Sequence, residues 1–149
     1  MRPTLAAYAR GVPDGTEPGD ADECPVLRVR AGREADAAEV ARFVPAGLDW
    51  AVTVSAMGAL VATEDGAVQG VLVRWPHPTH VLVERLAVAP HARRSGVGSL
   101  LLDAAEREAL ESGVNRVRSP VGRAHDPFLR RHGYTPVADG AALEKRLLP

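Results

Sequence analysis

The chain has little of several features that separate one class of protein from another. Cys24 is its single cysteine, which excludes an intrachain disulfide and a cysteine-based metal site. No run of about 18 apolar residues occurs, so no membrane-spanning helix is predicted. The net charge of −1 does not indicate a broad surface for nucleic acid or for an anionic membrane. Because the N-terminus also lacks the apolar core of a signal peptide, we expect a soluble, cytoplasmic protein.

The length and the distribution of proline and glycine predict one domain that follows a tail. Residues 1–24 combine prolines and glycines with several acids, and such a segment cannot bury enough apolar surface to offset its ordering entropy. We therefore expect a flexible N-terminal tail. The remaining residues, 25–149, have the length of an ordinary single domain.

The first half of this domain is predicted to contain a strand, a helix and a hairpin. Residues 25–30 alternate apolar and basic side chains, as a half-buried strand does. Residues 50–54 favour a strand, although a short helix or a loop is also open. The Asp65-Gly66 pair between two apolar runs predicts a β-hairpin. Residues 34–44 have helical periodicity, with a predicted buried face of Ala37, Val40, Ala41 and Val44.

The second half is organised around an apolar strand over residues 80–88, which only Glu84 and Arg85 interrupt. A helix over residues 96–111 and a strand over 115–121 follow, and this crossover makes the two strands parallel. A short helix and a second hairpin complete the chain. The sequence thus predicts an α+β fold with a mixed, mostly antiparallel sheet of six or seven strands.

The turn between the central strand and its following helix has the composition of a phosphate site. Two glycines run into a helix N-terminus, where unpaired backbone N–H groups carry partial positive charge. A Walker A loop is excluded because no lysine follows the glycines. A dinucleotide fingerprint is excluded because Leu101 occupies the position of its third glycine.

The pattern Arg93-x-x-Gly96-x-Gly98, after a strand that ends in Val88-Ala89-Pro90, resembles the pyrophosphate motif of the GCN5-related N-acetyltransferase (GNAT) superfamily. The first strand and helix, the Asp65-Gly66 hairpin and the segment 128–134 resemble that family in the same order. The resemblance implies helices on both faces of the sheet and a central parallel strand pair that splays apart. It also implies acetyl-CoA as cosubstrate. The positions implied to bind it are Leu86, Ala87, Val88, Arg93, Arg94, Ser95, Gly96, Val97, Gly98 and Ser99.

The same resemblance implies N-acetyl transfer, for which the amine must lose a proton and the thioester carbonyl must be polarised. The backbone amide of Val88 is the implied partner of that carbonyl. Strand alternation places Glu84 on one face with Leu82, Leu86 and Val88. Glu84 is therefore a candidate base or amine-binding residue, and the alternative is an acid that is solvated or paired with an arginine.

The general acid is where the sequence departs from the family. Many members have a tyrosine at the position that is Leu129 here, and Tyr134 is expected to lie in the core. His125 and Ser119 are the nearest candidates to protonate the departing thiolate, with water as the alternative.

The leading hypothesis is an acetyl-CoA-dependent N-acetyltransferase that acts on a primary amine of a small molecule or of a protein. The alternative is a non-catalytic acyl-CoA-binding module. A homodimer is compatible with the family, and neither nucleic acid nor a membrane is an expected partner.

A metal site at His77 and His80 is rejected, since Pro78 between them favours a plain turn. Five arginines in the last third of the chain form a basic group, which is expected to be a solvated face. Alternatively, the group attracts an acidic substrate or the 3′-phosphate of the cosubstrate. Its members are Arg116, Arg118, Arg123, Arg130 and Arg131.

Overall fold

The computed structural model describes residues 26–44, 48–56, 58–93 and 95–148. The predicted tail at residues 1–24 and Arg94 lie outside the described residues. The strands are β1 (Leu27–Ala31), β2 (Ala59–Glu64), β3 (Ala67–Pro76), β4 (Val81–Val88), β5 (Arg116–Pro120), β6 (Thr135–Pro136) and β7 (Ala142–Arg146). The α-helices are α1 (Ala37–Val40), α2 (Trp50–Ser55), α3 (Val97–Glu111) and α4 (Asp126–Arg131), and two 3₁₀ turns cover Glu34–Asp36 and Pro90–Ala92.

The strands form one seven-stranded sheet in the order β1-β2-β3-β4-β5-β7-β6. Only the β4–β5 pair is parallel among the strand pairs of the described residues. The hairpin between β2 and β3 turns at Asp65 and Gly66, whose φ angles of 51° and 85° fit the left-handed turn that matches strand twist. The predicted α+β fold with a mixed, mostly antiparallel sheet is confirmed.

Helices cover both faces of the sheet, as the family resemblance implied. On one face α3 packs against β2, β3 and β4, and Leu101 and Leu102 are fully buried there. The N-terminal end of α3 approaches the sheet at Gly70, where an added Cβ would lie 2.7 Å from Val97 Cγ1. The opposite face is covered by α1 and α2, which contribute Val40 and Trp50 to a second core cluster. No helix in the described part of the chain is both long and apolar enough to cross a membrane.

Two predictions of secondary structure, one of a helix and one that favoured a strand, differ from the structure. The helix predicted over residues 34–44 is a 3₁₀ turn followed by the four-residue α1, and Ala37 and Ala41 of its predicted buried face are exposed. Residues 50–54 favoured a strand with a short helix or a loop left open, and the helical alternative is the one observed, as part of α2. The Asp49 side chain caps this helix by accepting a hydrogen bond from the Val52 N–H, a local bond that outweighs the strand preference of the valines.

The centre of the sheet is open at one end. The described pairing of β4 with β5 is limited to Val81–Val117 and Leu82–Arg118. A β-bulge lies at the same level on the other side of β4, because Val83 and Arg85 oppose consecutive residues of β3 and Glu84 is the extra residue. The splayed parallel pair implied by the resemblance is therefore present, and the bulge marks where it begins.

Candidate active site

A cavity of about 860 Å³ occupies the space where β4 and β5 diverge. Its walls come from the second half of β4, the first turn of α3 and the segment around α4. Of the residues that the sequence singled out for catalysis or cofactor binding, those that line it are Glu84, Leu86, Ala87, Val88, Arg93, Gly96, Val97, Gly98, Ser99 and His125. Ser95 lies outside the lining, and its hydroxyl instead donates a hydrogen bond to the Ala92 carbonyl within the turn.

The first turn of α3 presents backbone donors to this cavity. Gly96 caps the helix with a φ of 87°, a left-handed conformation that glycine adopts at little cost. The first N–H groups of a helix have no acceptor within the helix, and they carry the positive end of its dipole. At Gly98 an added Cβ would lie 3.2 Å from Phe128 Cζ, so a side chain here would displace the Phe128 ring by a few tenths of an ångström. These residues fit a bound pyrophosphate.

A histidine that the sequence analysis missed connects α4 to this turn. His132 Nδ1 lies 3.0 Å from the Phe128 carbonyl oxygen, which only accepts, so Nδ1 must carry a proton. In the neutral ring Nε2 then accepts from the Ser99 hydroxyl, 3.0 Å away. The Phe128 ring also packs against the His132 ring, with 4.2 Å between the ring centroids. This contact fixes the orientation of the Ser99 hydroxyl at the third position of α3.

The backbone of β4 faces the gap in the sheet. The Ala89 N–H donates to the Gln69 carbonyl of β3 at 2.8 Å. Because successive residues of a strand point their N–H groups in opposite directions, those of Leu86 and Val88 point away from β3, toward the gap. The Val88 carbonyl shares this direction and lies 3.4 Å from Arg93 Nε. The strand end therefore offers backbone donors that β5 does not use in the described register.

Glu84 projects into the cavity from the bulge. Its Oε1 accepts a hydrogen bond from Trp75 Nε1 at 2.9 Å, and its Oε2 lies 3.7 Å from an Arg123 nitrogen. The Glu84 side chain is 40% exposed, so its carboxylate is reachable from solvent. The exposed fraction fits the alternative of a solvated acid, and Arg123, a loop residue, approaches the carboxylate at this long distance.

The predicted face of Glu84 is right for Leu82, which opposes the same Trp75 that Glu84 contacts, and wrong for Leu86 and Val88. Val81 and Val83 belong to the same core cluster that Leu86 and Val88 pack against, so the alternation shifts by one residue between them. The extra residue at the bulge causes this shift. Glu84 instead contacts Trp75, which packs with the second core cluster, beneath α1 and α2.

A family model described as an acetyltransferase (GNAT) domain matches residues 56–136, which span the hairpin, the central strand, the glycine turn and α4. The chain belongs to the GNAT acetyltransferase family. It is therefore an acyltransferase by family. A search of curated proteins gives no significant match.

Solved structures with the GNAT fold superpose on most of the chain. Ard1 from Thermoplasma volcanium has a TM-score of 0.70 and 22% identity, covering 83% of this chain and 99% of its own. PaiA N-acetyltransferase from Thermoplasma acidophilum, in complex with coenzyme A, has a TM-score of 0.65 and 15% identity over 80% and 98%. A GNAT family acetyltransferase from Brucella melitensis, in complex with acetyl-CoA, has a TM-score of 0.61 and 19% identity over 83% and 89%. At these identities the likeness concerns the fold.

The position of the family's usual tyrosine offers no hydroxyl to the cavity in this GNAT chain. Leu129 is a residue of α4, and its side chain is fully buried in the core. Tyr134 is also buried, as expected, and its hydroxyl donates to Glu106 Oε2 at 2.7 Å. Burial raises the pKa of Tyr134, and the neighbouring Glu106 raises it further. Neither residue can act as an acid at neutral pH in this arrangement.

His125 lies at the far wall of the cavity, beside the end of β5. Its Nε2 lies 2.9 Å from the Ser119 hydroxyl, and both groups are buried. Burial lowers the pKa of His125. The positive charges of Arg123 and Arg85 lower it further, whereas the negative charge of Asp126 opposes this shift. The imidazole is therefore neutral near pH 7. Ser119 itself does not line the cavity.

The predicted basic group divides in the structure. Arg118 pairs with Glu144 at 2.6 Å, whereas Arg123 and Arg131 line the cavity. The other lining residues that the sequence analysis did not single out as site residues include Phe43 and Arg85. Arg85 had one sequence signal, as an interruption of an apolar strand, but Phe43 had none.

The histidines of the rejected metal site stack on each other, with ring centroids 4.6 Å apart. Within the described ranges, no group of three or more His, Cys, Asp or Glu residues is arranged to hold a metal ion.

Proposed function

We propose that the protein transfers the acetyl group of acetyl-CoA to a primary amine, on a small molecule or a protein, by direct attack in a ternary complex. The observation that carries this proposal is the single cavity in which the α3 N-terminus, the β4 backbone and the Glu84 carboxylate meet. Two relatives of the same fold are in complex with coenzyme A or acetyl-CoA, which supports the choice of cosubstrate.

The cosubstrate would lie along the gap in the sheet. The N–H groups of Val97, Gly98 and Ser99 would hold its pyrophosphate at the start of α3. The Leu86 and Val88 amides would pair with the pantetheine arm and its thioester end. Arg93 lies at the strand end, where its guanidinium could meet the 3′-phosphate. Bound acetyl-CoA supplies an activated acyl group, so no metal is needed in this scheme.

Glu84 would bind the amine and accept its proton. Trp75 holds one carboxylate oxygen, and an amine would bind the other in place of its long contact with Arg123. The Val88 N–H, on the same strand, would donate to the carbonyl oxygen of the thioester and stabilise the negative charge that develops there. Both groups lie on β4, a central strand of the sheet, and this rigid support favours a fixed geometry between them.

His125 is our candidate to protonate the departing thiolate, with Ser119 orienting its ring. Because its lowered pKa keeps the imidazole mostly neutral, only the small protonated fraction can donate to the thiolate, and solvent supplies the proton otherwise. A thiol is acidic enough for turnover without a dedicated acid, so we expect loss of His125 to slow the reaction without abolishing it.

The direct test is release of free thiol from acetyl-CoA in the presence of a panel of amines. Glu84→Gln should lower kcat/KM by about 100-fold or more while the Kd for acetyl-CoA stays within twofold, since a positioned base contributes roughly this much. Asp103→Asn is the matched control, because Asp103 is an exposed carboxylate of α3 outside the cavity. A folded protein that binds acetyl-CoA but releases no thiol with any amine would refute the proposal.

The second candidate function is a non-catalytic acyl-CoA-binding module, which the buried Leu129 favours because it leaves the family's tyrosine position without a hydroxyl. In that case Glu84→Gln leaves every cellular phenotype intact as long as CoA binding is preserved. Loss of a phenotype with unchanged CoA affinity would count against it.

A further inference from the structure

Arg85 is a second charged residue at the bulge of β4, and the reaction proposed above does not use it. It lines the cavity, and its Nε is buried without a hydrogen-bond partner among the described residues. An arginine stays charged at any pH that a protein experiences, so it cannot escape this cost by losing its proton. A buried N–H of a charged group is costly when it has no acceptor. Because the Nε itself is out of reach of solvent, an anion in the cavity would offset the positive charge of this side chain and would not bond to that atom.

Of the neighbouring carboxylates, Glu84 is partly engaged, and Asp126 has one oxygen without a partner but does not line the cavity. Glu84 binds Trp75 and lies near Arg123, while Asp126 accepts from the Gly122 N–H at 2.7 Å. Arg123 also lines this part of the cavity, and both arginines are close enough to His125 to lower its pKa. The local charge that faces the cavity at this end is therefore positive, with Glu84 as its negative counterpart.

The anion that complements Arg85 is not expected from the cosubstrate. Arg85 lies three residues before Val88, about 10 Å along the strand, and the start of α3 lies further on. The phosphates of CoA would bind at α3, whereas the pantetheine arm and the thioester that would run along β4 carry no charge. An anion at Arg85 therefore has to come from the acceptor.

We propose that the acceptor carries a carboxylate next to its amine, as a free amino acid does, with Arg85 binding the carboxylate and Glu84 the amine. This inference rests on the proposed function and names its substrate class. Arg85 opposes Val73 of β3 and Glu84 contacts Trp75, and both of these partners belong to the second core cluster, so the bulge turns the two charged side chains to the same face of the sheet. The planar guanidinium suits a carboxylate because it can donate two parallel hydrogen bonds.

The test compares acceptors that differ only in that carboxylate. The pairs are glycine and glycinamide, alanine and alaninamide, and phenylalanine and phenylalaninamide, with rates expressed per unprotonated amine. The amides also mimic a peptide N-terminus, which makes a protein acceptor an outcome of the same experiment. For at least one pair we expect kcat/KM to be about 10-fold to 100-fold higher with the acid, the effect of one or two charge-assisted hydrogen bonds.

Variants assign the preference to Arg85. Arg85→Gln should reduce the acid-to-amide ratio to within about twofold of one without changing the Kd for CoA, and Arg85→Lys should retain part of it. Arg146→Gln is the matched control, since it removes the same charge from an exposed residue of β7 outside the cavity. Circular dichroism and CoA calorimetry on each variant establish that it is folded.

A binding measurement separates this inference from the proposed function. The same pairs are titrated by calorimetry into protein saturated with CoA, where no transfer occurs. Tighter binding of the acid, lost in Arg85→Gln, supports the inference even if no acceptor is acetylated, and that result would refute the proposed function alone. Turnover with equal rates for acid and amide, an unchanged ratio in Arg85→Gln, or failure to bind either member at millimolar concentration overturns the inference. Weaker CoA binding in Arg85→Gln with an unchanged ratio assigns Arg85 to the cosubstrate and also overturns it.

Discussion

Replacing Gly98 by alanine should weaken CoA binding about 10-fold to 100-fold while the protein stays folded. The new Cβ would lie 3.2 Å from Phe128 Cζ and 3.3 Å from Phe128 Cε1, so the ring must move by a few tenths of an ångström. Overpacking of this kind costs about 1–3 kcal/mol, and alanine returns about 1 kcal/mol through its higher helix propensity. The free energy of unfolding should therefore fall by no more than about 2 kcal/mol.

CoA binding should weaken because the methyl group enters the wall where the pyrophosphate would bind. Loss of one charge-assisted hydrogen bond to phosphate corresponds to roughly a 10-fold to 100-fold increase in Kd. Gly98→Val should raise the Kd further, since two more methyl groups must fit between α3 and Phe128. Calorimetry with CoA measures the Kd, and urea unfolding measures the stability.

Ala109→Gly is the matched control for this experiment. Ala109 is buried in α3, remote from the cavity lining, and its replacement should cost about 1 kcal/mol of stability with no change in the Kd for CoA. If Gly98→Ala and Gly98→Val both bind CoA within twofold of the wild type, the first turn of α3 does not hold the pyrophosphate and the reasoning is refuted.

Two further predictions concern stability and pH. Because burial lowers the pKa of His125, the unfolded chain takes up a proton more readily below its ordinary pKa of 6.5, so stability should fall as the pH drops from 6.5 through the folded pKa. His125→Gln should flatten this slope in urea unfolding between pH 7.5 and 5.5, and identical slopes would contradict the prediction. Burial alone would raise the pKa of Asp36, but hydrogen bonds from the Arg30 guanidinium, two of 2.8 Å, and from the Arg33 N–H lower it. Asp36→Asn should therefore cost about 2–4 kcal/mol at pH 7 and progressively less as the pH falls through the lowered pKa, whereas a pH-independent cost would show that the charge is not responsible.

The sequence predicted the parts of the fold that local chemistry decides. Asp65-Gly66 can form the left-handed hairpin turn almost regardless of context, and α3 has both a glycine cap and a clear apolar face. The short helices were harder to predict. Residues 50–54 are rich in β-branched side chains, and only the capping bond from Asp49 together with the burial of Trp50 makes them helical.

The site was predicted in its backbone part and less well in its side chains. The glycine turn is read directly from consecutive residues, but the direction of Glu84 depends on a bulge that arises where β4 pairs with a strand far away in sequence. The link from His132 to Ser99 joins residues 33 positions apart, and the packing of two helices creates it. Periodicity carries no information about such contacts.

The gap between β4 and β5 has a consequence for how long the protein survives in a cell. A sheet whose middle is incomplete gains its missing hydrogen bonds when a ligand fills the space, so binding energy becomes folding energy. At a ligand concentration of 100 times the Kd this linkage adds about 2.7 kcal/mol. With acetyl-CoA as the proposed ligand, resistance to proteases should therefore rise with its concentration.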